Sequence, residues 1–391
     1  MTRIMEANGR LPEFLRGDLW AGIAAVRVGA RRVRELVERY GAGTFLESLR
    51  RLHEHGEEVT IRALAELPHA RFELAEEQDN GAVYRVAVEL AADGMLVDLR
   101  DNPDQDPGPA NVSRDGALIA AQMALMNLVG AGTAANAGHF RPLEVLTRPG
   151  SVFEPCEPAA MAVYYEVRVR LYDLILRCLA PHLEGRLPSG GFSSICGTFI
   201  GGRHPDTGRH FTIVEPEVGG WGATAERDGI SAQFSILRGD TYNCPAEIAE
   251  ARYGLYVDRL ELSSEPGGEG RFRGGKGILL EYHVRGDGCF LTCAYTRSRT
   301  LPWGQAGGND GSSNYVEVAR RDGSLERFAV ATTLPVNAGD VIRINTGNGG
   351  GYGPPAGRDP ERARDDARNG FPVAFLPEKT YVADSKTRRR A

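Results

Sequence analysis

The chain contains no apolar stretch of the roughly 20 residues that a bilayer-spanning helix needs, because Arg, Gly or Glu interrupts every hydrophobic run first. Nothing in it predicts a membrane span. A basic excess is missing too: 46 Lys and Arg stand against 52 Asp and Glu, for a formal net charge of -6. No global positive field exists to draw a nucleic-acid backbone or an anionic membrane. Residues 1–10 carry charge but no apolar leader core, which predicts a cytoplasmic protein. Cysteine is sparse and scattered (Cys156, Cys178, Cys196, Cys244, Cys289, Cys293), which fits reduced thiols rather than a disulfide frame. There is no Gly-x-Ser-x-Gly elbow, no Ser-x-x-Lys and no repeat period. The one strongly basic run, residues 386–390, reads as a solvated, frayed terminus rather than a binding arm.

With 391 residues the chain can bury a large core and predicts two or three packed units. Leu15, Leu19, Ile23, Val26, Ala30, Val33, Val37 and Tyr40 recur every three or four residues, the stripe of an amphipathic helix. Gly41 and Gly43 stop it, and Thr44 with Glu47 predicts a capping box for a second helix running toward Leu67. A helical hairpin follows, with Arg27, Arg31 and Arg34 on a wetted face or against an acidic partner subunit. Period-two runs at 83–90 and 95–99 read as strands, residues 118–129 and 159–179 as buried helices, and 192–200 and 211–214 again as strands. From 255 to 345, short β-favouring runs (255–262, 278–284, 290–295, 315–318, 328–331 and 341–344) alternate with glycine-rich turns, as in an antiparallel sheet or barrel-like unit. The expected class is α+β, divided into a helical hairpin (11–68), a mixed α/β layer (69–235), a β-rich region (236–355), and a short helix with a loose tail (356–391).

Residues 270–277 satisfy the G-x-x-x-x-G-K part of a phosphate loop, but Gly277 replaces the Ser or Thr that would hold magnesium, and a strand-like run follows instead of a helix. ATP binding there is therefore not expected. The glycines read instead as positive-φ positions of a tight hairpin from which Arg271 and Arg273 project, either to clamp an anion or to pair with Glu265 or Glu269. Gly347 to Gly353 also reads as turn chemistry. Asn243-Cys-Pro-Ala-Glu247 reads as a helix start capped by Asn243, placing Glu247 and Glu250 on one face. Two carboxylates so placed can share a proton or a cation, or simply complement the helix dipole. No metal site is predicted: His53, His55 and Glu57 do not converge on one helix face, and His204 with His210 has no third ligand. Cys289 and Cys293 read as core thiols, and nothing near Cys196 supplies a base.

In order, Gly219-Gly-Trp-Gly-Ala, Asp228-Gly, Asn243-Cys-Pro-Ala-Glu247 and Gly267-Gly-Glu-Gly-Arg-Phe-Arg-Gly-Gly275 resemble the hydantoinase B/oxoprolinase family. The resemblance runs from about Gly17 to Gly353. It implies a subunit of an ATP-dependent enzyme that hydrolyses a cyclic amide such as a hydantoin, 5-oxoproline or a lactam, or alternatively carboxylates a ketone such as acetone or acetophenone. ATP and magnesium would sit on a hydantoinase A-type partner. The resemblance also implies a further N-terminal segment with His and Asp ligands for zinc or manganese, which matches no position here; a separate chain would have to carry it. Within that frame Asp228, Glu247 and Glu250 are the expected catalytic carboxylates, while Trp221, Asn243, Arg271 and Arg273 would bind substrate. The competing expectation is a structural or regulatory subunit that kept the fold without turnover, or a truncated frame with no function of its own.

Overall fold

The structure, a computed structural model, describes residues 1–9, 11–130, 134–236 and 241–371. The basic run at 386–390 lies outside them. The chain divides into two compact units, residues 1–60 with 133–141, and the remainder.

In the first unit, α1 (Thr2–Asn8) packs on α2 (Pro12–Tyr40), and α3 (Ala42–Ala65) follows. Gly41, at φ +80°, separates α2 from α3. Both expected helices are present, but α2 packs against α1 rather than along α3. The expected capping box does not form, because α3 starts at Ala42 and Thr44 falls inside it. Glu47 instead accepts from Arg50 and Arg51 on the next turn. A short turn at Ala137–Phe140 rests on α3: Thr60 Oγ1 donates to the His139 carbonyl at 3.0 Å, and Arg141 pairs with Glu57 at 2.8 Å.

The second unit opens with β1 (Ala70–Glu77), β2 (Val83–Ala91) and β3 (Gly94–Asp98), then α4 (Arg114–Val129), β4 (Leu143–Leu146) and α5 (Tyr164–Leu179). The sheet runs β1-β2-β3-β4, antiparallel except for β3 with β4, and α4 and α5 pack together beside it. Strands β5 (Gly197–Arg203) and β6 (His210–Glu215) precede α6 (Ala246–Arg252) and a run of strands: β7 (Leu255–Leu262), β8 (Ile278–Val284), β9 (Cys289–Ala294), β10 (Tyr315–Ala319), β11 (Leu325–Phe328), β12 (Val330–Val336) and β13 (Val341–Asn345). Helix α7 (Pro360–Arg368) closes the described chain, capped by Asp359. Two antiparallel sheets result, β11-β10-β13-β8-β7 and β12-β9-β5-β6. Their inward residues, among them Ile200, Leu280, Tyr282, Leu291, Val316 and Ile344, form one buried cluster. Period-two alternation produces this, since every second side chain of strands such as β9 and β10 turns to the shared interior. Cys289 and Cys293 face that interior on β9, as expected. Among the described residues, no helix is long and apolar enough to cross a membrane.

Glycine does something that the pattern of the sequence does not predict. The positions expected to supply positive φ in a hairpin, Gly270, Gly274, Gly275 and Gly277, are absent from the left-handed residues. They belong to segments outside helix and strand that are packed so tightly that a Cβ would fall on a neighbouring carbonyl: that of Gly349 for Gly274, that of Thr346 for Gly277. Backbone hydrogen bonds join these segments laterally, with Gly275 N donating to Trp221 O at 2.8 Å, Gly349 N to Gly275 O at 2.9 Å, and Gly220 N to Gly347 O at 2.9 Å. The glycines are therefore a requirement of the spacing between segments in a backbone lattice, and the turn reading of Gly347 to Gly353 is corrected except at Gly353, which has φ +72°.

Candidate functional site

The lattice sets the indole of Trp221 in place. Its Nε1 donates to the Phe234 carbonyl at 2.9 Å while its backbone carbonyl accepts from Gly275. Beside it lies a cavity of about 60 Å³, lined by Trp221, Phe192, Ser193, Ser235, and, from α4 and α5, Asn127, Tyr172 and Asp173. Asn127 Nδ2 donates to Tyr172 Oη at 3.1 Å, so the two helices present a joined amide and phenol to the cavity.

Asp173 belongs to a buried ion-pair group. Its Oδ1 accepts from Trp303 Nε1 at 3.1 Å, and its Oδ2 from Arg170 at 2.9 Å and from Arg297. Arg170 and Arg297 also hold Glu76 of β1, at 2.7 and 2.9 Å, and the half-exposed Arg177 joins them. Burial pushes the Asp173 carboxyl up, but Arg297 and Arg170 outweigh it and keep the group below its ordinary range. The charge beneath the cavity is thus balanced, and the cavity wall itself presents hydroxyl, amide and ring groups.

In the wall Ser193 sits at φ +38°, and behind it Cys196 sits at φ +49°, both unusual for residues with a Cβ. Glu166 of α5 holds this stretch: it accepts from Ser194 Oγ at 2.8 Å, Ile195 N at 2.8 Å and Thr296 Oγ1 at 2.7 Å. Burial pushes its pKa up to about 7, against the opposing pull of those donors. Burial also lifts the Cys196 thiol well above its usual value, which makes it inert at neutral pH.

The other residues singled out by sequence fall elsewhere. Asp228 accepts from Arg273 N at 2.8 Å and from Arg358 at 2.8 and 3.1 Å. Arg273 donates to Asp366 of α7 at 2.9 Å, not to Glu265 or Glu269, and its guanidinium stacks 4.3 Å from the Phe371 ring. The reason is prior occupancy: Glu269 accepts from Gly267 N and Asn309, while Glu265 accepts from Tyr315. Arg271 is exposed, 5.4 Å over the Phe272 ring. Lys276 is buried and donates to the Glu265 carbonyl at 2.7 Å, and burial lowers its pKa to about 8.

Asn243 is not the cap of α6; Pro245 occupies that position, with no side-chain cap bond. Its amide instead donates to Glu217 at 3.0 Å and Glu215 at 3.2 Å, two carboxyls that burial raises. For Glu217 the rise is large, and Oε1 has no partner. Glu247 is exposed, and Glu250 folds back to accept from Val257 N at 3.1 Å. Glu166, Asp173 and Glu217 were missed. The signals were there: Glu166, Arg170 and Asp173 recur on one face of a helix read as buried, and Glu215 and Glu217 alternate just ahead of the Gly-Gly-Trp motif. Among the described residues no group of three or more His, Cys, Asp or Glu is placed to hold a metal ion, and the buried acids of the cavity floor are spent on guanidinium partners. These residues do not fit a metal centre.

The family model for hydantoinase B/oxoprolinase matches residues 1–355. The B-type component of a putative D-/L-hydantoinase from Pseudomonas sp. (strain NS671) is 28% identical over 400 residues, covering 97% of this chain and 66% of that protein. The crystal structure of ATP-dependent caprolactamase from Pseudomonas jessenii shares the fold at a TM-score of 0.83 and 24% identity, over 94% of this chain and 66% of that one. A nucleotide-free acetone carboxylase structure does so at 0.74 and 17%, over 87% and 52%. The chain thus spans about two thirds of the length of that hydantoinase component, but only 27% of the 5-oxoprolinase 1 of Arabidopsis thaliana, to which it is 26% identical.

Proposed function

Since this chain belongs to the hydantoinase B/oxoprolinase family, we propose that it is the substrate-receiving subunit of an ATP-dependent, multi-subunit enzyme of the cytoplasm that hydrolyses a cyclic amide of the hydantoin, 5-oxoproline or lactam type. The observation that carries this reading is the cavity at Trp221. Its wall offers rings for an apolar ring face and neutral hydroxyl and amide groups for an amide N–H and carbonyl, and the charge of its one carboxylate is balanced from behind. The neutral lining suits a hydantoin or lactam ring better than 5-oxoproline, whose carboxylate makes it an anion at neutral pH.

In this proposal ATP and magnesium sit on a hydantoinase A-type partner, and any zinc or manganese arrives on another polypeptide. The residues of this chain bind, orient and exclude water. Trp221 packs on the substrate ring, and Asn127 with Tyr172 orients the amide. Asp228 and Arg273 fix the lattice that carries Trp221, and Asn243 fixes the segment before it, so these are positioning residues. Glu247, Glu250 and Arg271 lie on the surface or near it, where a partner protein can reach them.

The test is to purify the chain alone and together with its hydantoinase A-type partner, and to follow ATP hydrolysis and ring opening of 5-oxoproline, hydantoin and caprolactam. Coupled turnover in the complex alone is expected, with Trp221→Ala lowering kcat/KM about tenfold or more through loss of ring contact and orientation. Ring opening by the isolated chain, or a complex that carboxylates acetone and leaves every lactam intact, would overturn the proposal.

A further inference from the structure

Helix α2 is 29 residues long and buries none of them. Its apolar positions nevertheless recur at seven-residue intervals: Leu19, Val26, Val33 and Tyr40 form one row, Leu15, Gly22, Gly29 and Leu36 a second, and Ile23, Ala30 and Val37 flank them as a third. The first two rows, alternating every three and four residues, have the spacing of a coiled-coil seam. The seam is open, with Val26 73%, Val33 48%, Leu36 44% and Tyr40 52% exposed. Helix α1 packs at its N-terminal end, where Leu15 and Leu19 are half-buried.

The two glycines in the seam have no account among the described residues. A Cβ at Gly22 or Gly29 would meet nothing within 4 Å, and neither has positive φ, so alanine would fit and would favour the helix by up to about 1 kcal/mol. A missing side chain with nothing of its own to avoid points to a close approach from outside.

We propose that α2 pairs antiparallel with the α2 of a second copy of this chain. When the seam is laid against itself in reverse, each glycine meets a valine: Gly22 faces Val33, Gly29 faces Val26, and Leu19 faces Leu36, in both directions, as an isologous two-fold contact requires. The branched side chain of one helix fills the gap the glycine leaves in the other. In the same register Asp18, flanking the seam near one end, lies across from Arg39 near the other, so the arrangement carries two equivalent ion pairs. A parallel arrangement would set Gly22 on Gly22 and Gly29 on Gly29, leaving voids, and would hold Asp18 and Arg39 at opposite ends of the pair. The occupant that fits the face is therefore the helix itself.

Sedimentation velocity on the full chain over a range of concentrations tests this. A dimer is expected, and Gly22→Leu with Gly29→Leu should raise its Kd at least about tenfold by overfilling the seam. Asp18→Arg should weaken it several-fold, and adding Arg39→Asp should restore it. That charge exchange lies outside the seam and keeps the test alive if the leucine variant does not fold. A chain that stays monomeric at every concentration, a dimer indifferent to both glycine changes, or a charge exchange that fails to restore association would each overturn the pairing.

Discussion

Glu166 shows how burying one carboxyl fixes the sign of a pH dependence. Burial raises its folded pKa to about 7 from an ordinary value of 4.5. Between those values the folded chain keeps a proton that the unfolded chain releases, so stability is greatest at the acid end of the window and falls as pH rises toward 7. The shift corresponds to about 3 kcal/mol, an order-of-magnitude figure for a fully buried group. Glu166→Gln removes the titration while keeping one acceptor for Ile195 N, so its urea midpoint should be flatter than that of the wild type between pH 5 and pH 8. Parallel curves for the two proteins would show that Glu166 does not titrate there. Glu217, also raised well above its ordinary range by burial and lacking a partner for Oε1, adds a proton-binding group of the same sign beside Asn243.

Among the elements, strands and helices were legible where side chains set the pattern, and illegible where backbone alone did. Strand β8 falls on its expected range because most of its side chains face one core, and β7 does so although only Leu255 and Val257 of it turn inward. The expected strand at 328–331 proved to be the junction of β11 and β12, since a four-residue run cannot reveal which side of a turn it belongs to. The glycine lattice was invisible to periodicity, having no side chains to alternate; only the clustering of glycines at 219–222, 267–277 and 347–353 announced it. Its cost for a methyl group is the sharpest contrast in the molecule. Gly349→Ala would drive a Cβ into the Trp221 carbonyl, which is backbone held by Gly275 and cannot turn aside, so loss of about 3 kcal/mol or more, or no soluble protein, is expected. Gly17→Ala in α2 meets open space and should leave stability unchanged or raise it by up to about 1 kcal/mol. Thermal melts of both variants check this, and a well-folded Gly349→Ala protein would remove the steric argument for the lattice.

At the scale of the whole molecule, the larger unit brings segments distant in sequence to one buried charge group beneath the cavity. Glu76 comes from β1, Arg170 and Asp173 from α5, and Arg297 from the segment after β9, itself at φ +57°. The sequence showed charges on a helix read as buried but not their partners, Glu76 lying 94 residues from Arg170 and Arg297 124 residues from Asp173. Arg297 is fully buried and touches both acids. Arg297→Ala leaves two buried carboxylates facing one buried guanidinium and should cost about 3–5 kcal/mol. Its pH response should also change sign. In the wild type the arginines hold Asp173 low, so its contribution is present above the unfolded pKa and lost as pH falls through the folded one. Without Arg297, burial outweighs the remaining attraction, the folded pKa rises, and stability should be regained as pH falls from 7 toward 5. Arg297→Ala with Asp173→Asn removes the surplus charge, leaves Oδ1 to accept from Trp303, and should recover part of the loss. Denaturant midpoints of the single and double variants at pH 5 and pH 7 decide it; equal losses in both, with no pH response in the single variant, would mean that packing of the Arg297 side chain matters there and its charge does not.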